Sequence, residues 1–172
     1  MMDGRMQIVA LGIVKGMIYL HENGIVLRDL KPANVGFDEE GNVRLFDFGM
    51  AWKLEDCYPD EICGSPISMP PEVMAGNGYS FGVDVYSFGV VLYEICSLKV
   101  AFSAIRKHAN VKDFTRLVIE HSRPKLNIID CPLATKLIED CWQSDPTQRP
   151  SFQIIHHRII DIISCKKAEG LK

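Results

Sequence analysis

From Gly82 to Leu98 the chain runs through Val83, Val85, Phe88, Val90, Val91, Leu92 and Ile95, apolar almost all the way round at helical spacing. A helix with no polar face belongs in the middle of a domain, so the other segments must wrap it. They carry the pattern to do so. Gly4 to Glu22 sets Met6, Val9, Ile13, Met17 and Leu20 along one helical face and stops at Asn23-Gly24. Val111 to His121 and Pro132 to Gln143 read as two further helices. A last one runs from Ser151 to about Ser164, with Ile154, Ile155, Ile159, Ile162 and Ile163. The expectation is one mainly helical domain over residues 1–165, followed by a frayed tail over 166–172. At 172 residues the chain is long enough to bury a sizeable core. It shows no internal repeat, no low-complexity tract and no second domain.

One β feature stands out. Val35-Gly36-Phe37 and Val43-Arg44-Leu45 alternate around Asp38-Glu39-Glu40-Gly41-Asn42, a turn sequence, and so read as a hairpin. Such a hairpin fixes Asn34 at one end and Asp47 at the other and brings them together. Asp29 and Lys31 lie just upstream. Two carboxylates, a lysine and a carboxamide are what phosphoryl transfer from a nucleotide requires. Asp29 would orient an attacking hydroxyl and accept its proton, and Lys31 would offset charge on the migrating phosphate. Asn34 and Asp47 would offer oxygen to magnesium, a hard ion.

These residues sit in Leu27-Arg28-Asp29-Leu30-Lys31-Pro32-Ala33-Asn34, followed by Asp47-Phe48-Gly49. The stretch resembles the catalytic and magnesium loops of the eukaryotic protein kinases, H-R-D-L-x-x-x-N and D-F-G, here with eighteen residues between the two aspartates. Leu27 stands where the family usually has histidine; it keeps an apolar contact with the Phe of D-F-G and loses a hydrogen bond. Gly36 stands where a bulky residue often floors the adenine, which implies lower nucleotide affinity. The long loop from Asp47 to Glu72 resembles the activation segment. Ser65 takes the place of the threonine that reaches back to the catalytic aspartate and lysine. Ser68 replaces a more usual aromatic residue, and Pro70 an alanine.

Asp84-Val85-Tyr86-Ser87-Phe88-Gly89 resembles D-V-W-S-F-G, which implies that Asp84 accepts backbone N–H groups of the catalytic loop. On the residues alone, Asp84 equally fits a first-turn carboxylate favoured by the helix dipole. Cys141 to Pro150 resembles C-W-x-x-D-P-x-x-R-P, which implies that Arg149 pairs with Glu72. Losing either partner of such a buried pair costs about 3–5 kcal/mol. In many kinases the arginine at Arg28 binds a phosphate in the activation segment. Tyr58 is the only hydroxyl residue between Met50 and Cys63, and Glu55, Asp56, Asp60 and Glu61 are sources of permanent negative charge there.

The resemblance covers about residues 5–164. It implies the larger, C-terminal lobe of a serine/threonine-type kinase using ATP and Mg2+ on a protein substrate, with Lys31, Asn34 and Asp47 meeting the cofactor. Lys31 and Ser65 resemble the Ser/Thr branch, and Val85 to Glu94 the tyrosine-kinase-like group within it. The Gly-rich loop, strand lysine and helix glutamate of a complete domain do not occur, so the β-rich N-terminal lobe is expected to be absent and turnover by the chain alone weak or nil. Either that lobe or a partner should cover an apolar face near Phe48 and Leu27. A second reading is a non-catalytic, kinase-derived interaction module. A small-molecule phosphotransferase fits the loop alone and leaves Glu72, Asp84 and Arg149 unaccounted for.

Composition excludes other classes. A formal net charge of −3 argues against non-specific nucleic-acid binding. No apolar run of about 18 residues exists to span a membrane. Ile8 to Val14 follows Arg5 in the manner of a secretory signal, but Lys15 interrupts it and no cleavage motif follows. Six cysteines without a Cys-x-x-Cys read as reduced thiols of a cytoplasmic protein.

Overall fold

The computed structural model describes residues 2–58, 60–106 and 110–170. Eight α-helices dominate the described residues: α1 Met2–Arg5, α2 Leu11–Glu22, α3 Pro71–Met74, α4 Gly82–Ser97, α5 Ser103–Arg106, α6 Val111–Ile119, α7 Pro132–Cys141 and α8 Phe152–Gly170. Helix α4 is the centre: Val85, Phe88, Val91 and Leu92 are all buried in the main core. It ends at Leu98, which adopts the left-handed conformation and donates its N–H to Glu94 O. Where α4 meets α7 the backbones come close. A Cβ added at Gly89 would stand 2.8 Å from Cys141 Cβ, so only glycine fits that crossing. Helix α8 closes the far side, its Phe152 ring edge-on to Phe88 at 5.6 Å.

Two boundaries differ from the periodicity. The first long helix is interrupted by a π-helical turn over Met6–Ala10 between α1 and α2, with Met6 and Ala10 buried. Helix α8 continues to Gly170, past the end of its apolar stripe at Ser164. Residues 171–172 of the expected tail lie outside the described residues.

The β structure consists of two small antiparallel pairs. Strands β2 Val35–Phe37 and β3 Val43–Leu45 form the hairpin, with Val35 opposite Leu45 and Phe37 opposite Val43. Its turn is closed by Asp38, whose Oδ1 accepts N–H bonds from Glu40 and Asn42, and by Gly41 at φ +81°. The other pair joins β1 Ile25–Val26 to β4 Trp52–Lys53, so the start of the long loop is a strand laid beside the chain entering the catalytic loop. Sequence periodicity does not reveal strands of two residues.

The hairpin is seated on α2 through two glycines. A Cβ at Gly12 would lie 2.5 Å from Val43 Cβ, and one at Gly16 3.0 Å from Leu45 Cδ1. Their bare backbone sets how close β3 comes to the helix, and with it the height of both hairpin ends. Among the described residues no helix is long and apolar enough to cross a membrane. Cys96, Cys131 and Cys141 are buried thiols, with no disulfide to either neighbour.

Candidate active site

The Leu27–Asn34 loop is hung from α4. Asp84, fully buried in the first turn of that helix, accepts the N–H of Leu27 at 2.8 Å on Oδ2 and that of Arg28 at 2.8 Å on Oδ1. His21 Nε2 approaches Oδ2 at 2.9 Å, its ring packed between Phe81 and Phe152. Three donors on one dry carboxylate hold the loop through Arg28, whose φ of +65° is uncommon for a residue with a side chain. Asp84 is thus both a first-turn carboxylate and the anchor of the loop.

Asp29 follows directly. Its Oδ2 accepts from Lys31 Nζ at 2.6 Å and from Asn34 Nδ2 at 3.3 Å, and its Oδ1 accepts from Ser65 N at 2.9 Å. Lys31 Nζ also donates to Ser65 Oγ at 2.9 Å. Burial alone would raise the pKa of Asp29, but the hydrogen bonds from Lys31 and Ser65 outweigh it and hold the carboxyl below its ordinary pKa. Asp29 is therefore ionised at neutral pH, with donors fixed around it.

Asp47 lies outside this network. It is exposed, in the left-handed conformation at φ +56°, and its Oδ1 accepts from Gly49 N at 3.4 Å. The tie between the two loops is through backbone: Phe46 N donates to Asn34 O at 2.9 Å. The structure thus joins Asp29, Lys31, Asn34 and Ser65 by side-chain bonds and leaves Asp47 outside them, at the same open end of the hairpin as Asn34.

Among the described residues no cluster of three or more His, Cys, Asp or Glu side chains forms a metal cage. The donor set suits a hard ion that arrives with its own ligands. Asn34 Nδ2 is committed to Asp29 O at 3.0 Å, which leaves Oδ1 as its outward donor oxygen, and Asp47 offers an exposed carboxylate. Magnesium commonly takes one or two protein oxygens and completes its shell with water and phosphate.

The long loop comes back to Asp29 through Gly64. At φ +107°, and with a would-be Cβ 2.5 Å from Arg28 O, this position admits glycine alone. Ser68 is buried, its Oγ 3.3 Å from Ser65 O and its own carbonyl accepting from Ser87 Oγ at 2.7 Å. Arg28 donates through Nε to Met50 O and through one terminal nitrogen to Glu61 Oε2, both at 2.6 Å. Its guanidinium faces the rings of Trp52 and Tyr79 at 5.6 and 5.3 Å. Of the charge sources in this loop, Glu61 is the one on Arg28; Tyr58 is exposed. Arg149 meets Glu72 side by side at 2.5 and 2.8 Å.

Leu27 is buried in the core. The exposed apolar side chains on the loop come at alternate positions, Phe46, Phe48, Met50 and Trp52, each about half exposed. The space beside Gly36 is filled. A Cβ there would stand 2.7 Å from Phe46 Cε2, so the Phe46 ring supplies bulk that Gly36 lacks. A cleft of about 810 Å³ between α2 and the hairpin is lined by none of Asp29, Lys31, Asn34 or Asp47.

A protein kinase domain model matches residues 1–160. The chain belongs to the protein kinase family. It is 40% identical over 138 residues to the dual specificity protein kinase pyk3 of Dictyostelium discoideum, which covers 80% of this chain and 10% of that kinase. Against a dual serine/threonine and tyrosine protein kinase of Xenopus laevis, identity is 37% over 155 residues, covering 90% of this chain and 17% of the relative. The serine/threonine-protein kinase STY17 of Arabidopsis thaliana is 36% identical over 156 residues, 90% of this chain and 27% of its own length. The chain therefore spans about a quarter or less of each of these kinases.

Sequence reasoning passed over His21, Gly64, Phe46 and Tyr79. Gly64 carried a signal, a glycine abutting Ser65 in a loop that must turn back sharply. Phe46 carried a weaker one, an aromatic residue two positions from another beside an unfilled Gly36. The other two act through tertiary contacts alone.

Proposed function

We propose that this chain is the C-terminal lobe of a protein serine/threonine kinase and contributes the catalytic half of its phosphotransfer site. Asp29 orients the acceptor hydroxyl and takes its proton. Lys31, hydrogen-bonded to both Asp29 and Ser65, offsets negative charge where the phosphate moves. Asn34 and Asp47 would hold magnesium, which with ATP supplies the transferable phosphoryl group and part of its charge neutralisation. Arg28, Ser65, Ser68 and Glu72 shape the segment that receives the protein substrate, and Asp84 and Arg149 support it. The observation that carries this reading is the ionised, donor-ringed Asp29 linked to Asn34 within one loop. A scaffold has no chemical need of that arrangement.

A non-catalytic module is the competing reading, favoured by the half-exposed row from Phe46 to Trp52. One titration separates them. Mg·ATP added to the labelled chain should shift the Asn34 and Asp47 resonances, and ATP with a chelator should not; no shift under either condition supports the module. Supplied with a kinase N-terminal lobe, the chain should phosphorylate serine or threonine in a test protein. Asp29→Asn should then lower kcat by about 10²–10⁴-fold with little change in fold.

A further inference from the structure

Tyr79 lies in neither the catalytic loop nor the returning segment, yet its phenol is where the two are fastened. It sits three positions before α4, and its ring packs against the buried cluster of Met69, Val73 and Val83. The footing is therefore part of the protein's rigid interior. The hydroxyl donates to Glu61 O at 3.1 Å, accepts from Cys63 N at 3.2 Å and lies 3.2 Å from Cys63 Sγ. A phenol has one proton to give and lone pairs with which to accept, and this geometry uses both capacities. The face of the same ring meets the Arg28 guanidinium, whose own carboxylate partner is Glu61. Burial pushes the pKa of the Tyr79 phenol well above its ordinary value, so it keeps its proton at any physiological pH.

Cys63 leads directly to the active site. Gly64 passes against Arg28 O, and the next N–H, that of Ser65, is a hydrogen bond to Asp29. Two residues of taut chain thus separate the Tyr79 hydroxyl from the carboxylate proposed as proton acceptor.

We infer that Tyr79 is a positioning residue of the proposed phosphotransfer site: its hydroxyl pins Glu61 and Cys63, setting where Ser65 meets Asp29, and its ring steadies Arg28. The inference rests on the kinase reading for the word phosphotransfer, but the pinning is a property of the fold and is measured without it. A tyrosine present for packing alone would be replaced by phenylalanine without consequence. Here phenylalanine leaves Glu61 O and Cys63 N without that partner.

The test compares Tyr79→Phe and Tyr79→Leu by amide hydrogen exchange of the full chain. Tyr79→Phe should speed exchange at Cys63 and Ser65 about three- to tenfold, the range set by one ordinary hydrogen bond, while α4, α7 and α8 exchange as before. Tyr79→Leu should extend the loss to Arg28. In the chain supplied with an N-terminal lobe, Tyr79→Phe should raise KM for the protein substrate and leave KM for ATP unchanged. Wild-type exchange in Tyr79→Phe, or acceleration spread evenly over the whole chain, overturns the inference. If the wild type transfers no phosphate, the kinase reading fails separately, and the exchange comparison still decides the role of Tyr79.

Discussion

Two arginine–glutamate pairs tie down the segment from Asp47 to Glu72, and they are built differently. Arg149 and Glu72 meet through two parallel bonds, with side chains 0% and 11% exposed. The guanidinium is further spent on Gly82 O and Gln143 O and lies over the Tyr86 ring. Arg28 and Glu61 meet through one bond, with the arginine 3% and the glutamate 42% exposed. The first pair joins elements already packed on the core. The second joins the catalytic loop to a segment that runs over the surface. A bidentate pair in a dry site cannot be exchanged without losing the arrangement around it. A single bond to a wet carboxylate can be released and replaced. One pair therefore fixes architecture, and the other sets the position of a surface segment.

The largest expected effect tests the dry pair. Arg149→Leu or Glu72→Ala should lower the free energy of unfolding by about 3–5 kcal/mol, read from a shifted urea midpoint; a loss under about 1 kcal/mol would erase the contrast between the pairs. Asp84→Ala comes next, because two backbone N–H groups and His21 lose their acceptor in a site without water. It should cost about 1–3 kcal/mol and open the Leu27 and Arg28 amides to exchange before the rest of α4. Glu61→Gln should change global stability by less than about 1 kcal/mol, yet loosen residues 61–65. Raising salt in the wild type should reproduce part of that loosening.

The smallest effect is a pH dependence. Asp29 is held below its ordinary value of 3.8 in the folded protein. Its contribution to stability is therefore complete at pH values above that value and is lost as pH falls through the lower, folded one. Asp29→Asn should flatten the acid limb of a stability–pH curve below about pH 4 and lower the neutral plateau without giving it a slope. An identical acid limb in the variant would mean that Lys31 and Ser65 do not favour the ionised form.

What the sequence made legible was local or densely repeated. The hairpin strands fall at Val35–Phe37 and Val43–Leu45, the residues read from alternation and turn chemistry, since both signals lie within a few positions. Helix α4 was legible because an apolar surface on every side has few other solutions. Other features depend on partners far along the chain. Strands β1 and β4 have two residues each and pair across residues 27–51, too short for any period to show. Four acids between Glu55 and Glu61 were equivalent on paper, and only the path of the loop past Met50 and Trp52 selects Glu61. Leu27 read as keeping an apolar contact, but only the pull of Asp84 on its backbone shows that the side chain goes into the core. The helical stripe ended at Ser164, but hydrogen bonding carried α8 to Gly170 without it.

The glycine pair on α2 has a consequence for how such a site is tuned. Gly12 and Gly16 let Val43 and Leu45 settle onto bare helix backbone, and Asn34 and Asp47 flank the two strands so seated. One added methyl group at either glycine would lift the ribbon as a unit, shifting both oxygen-bearing side chains with respect to Asp29 while touching none of them. The spacing between Asp29 and the Asn34–Asp47 pair is thus written on the back of a helix that touches none of the three.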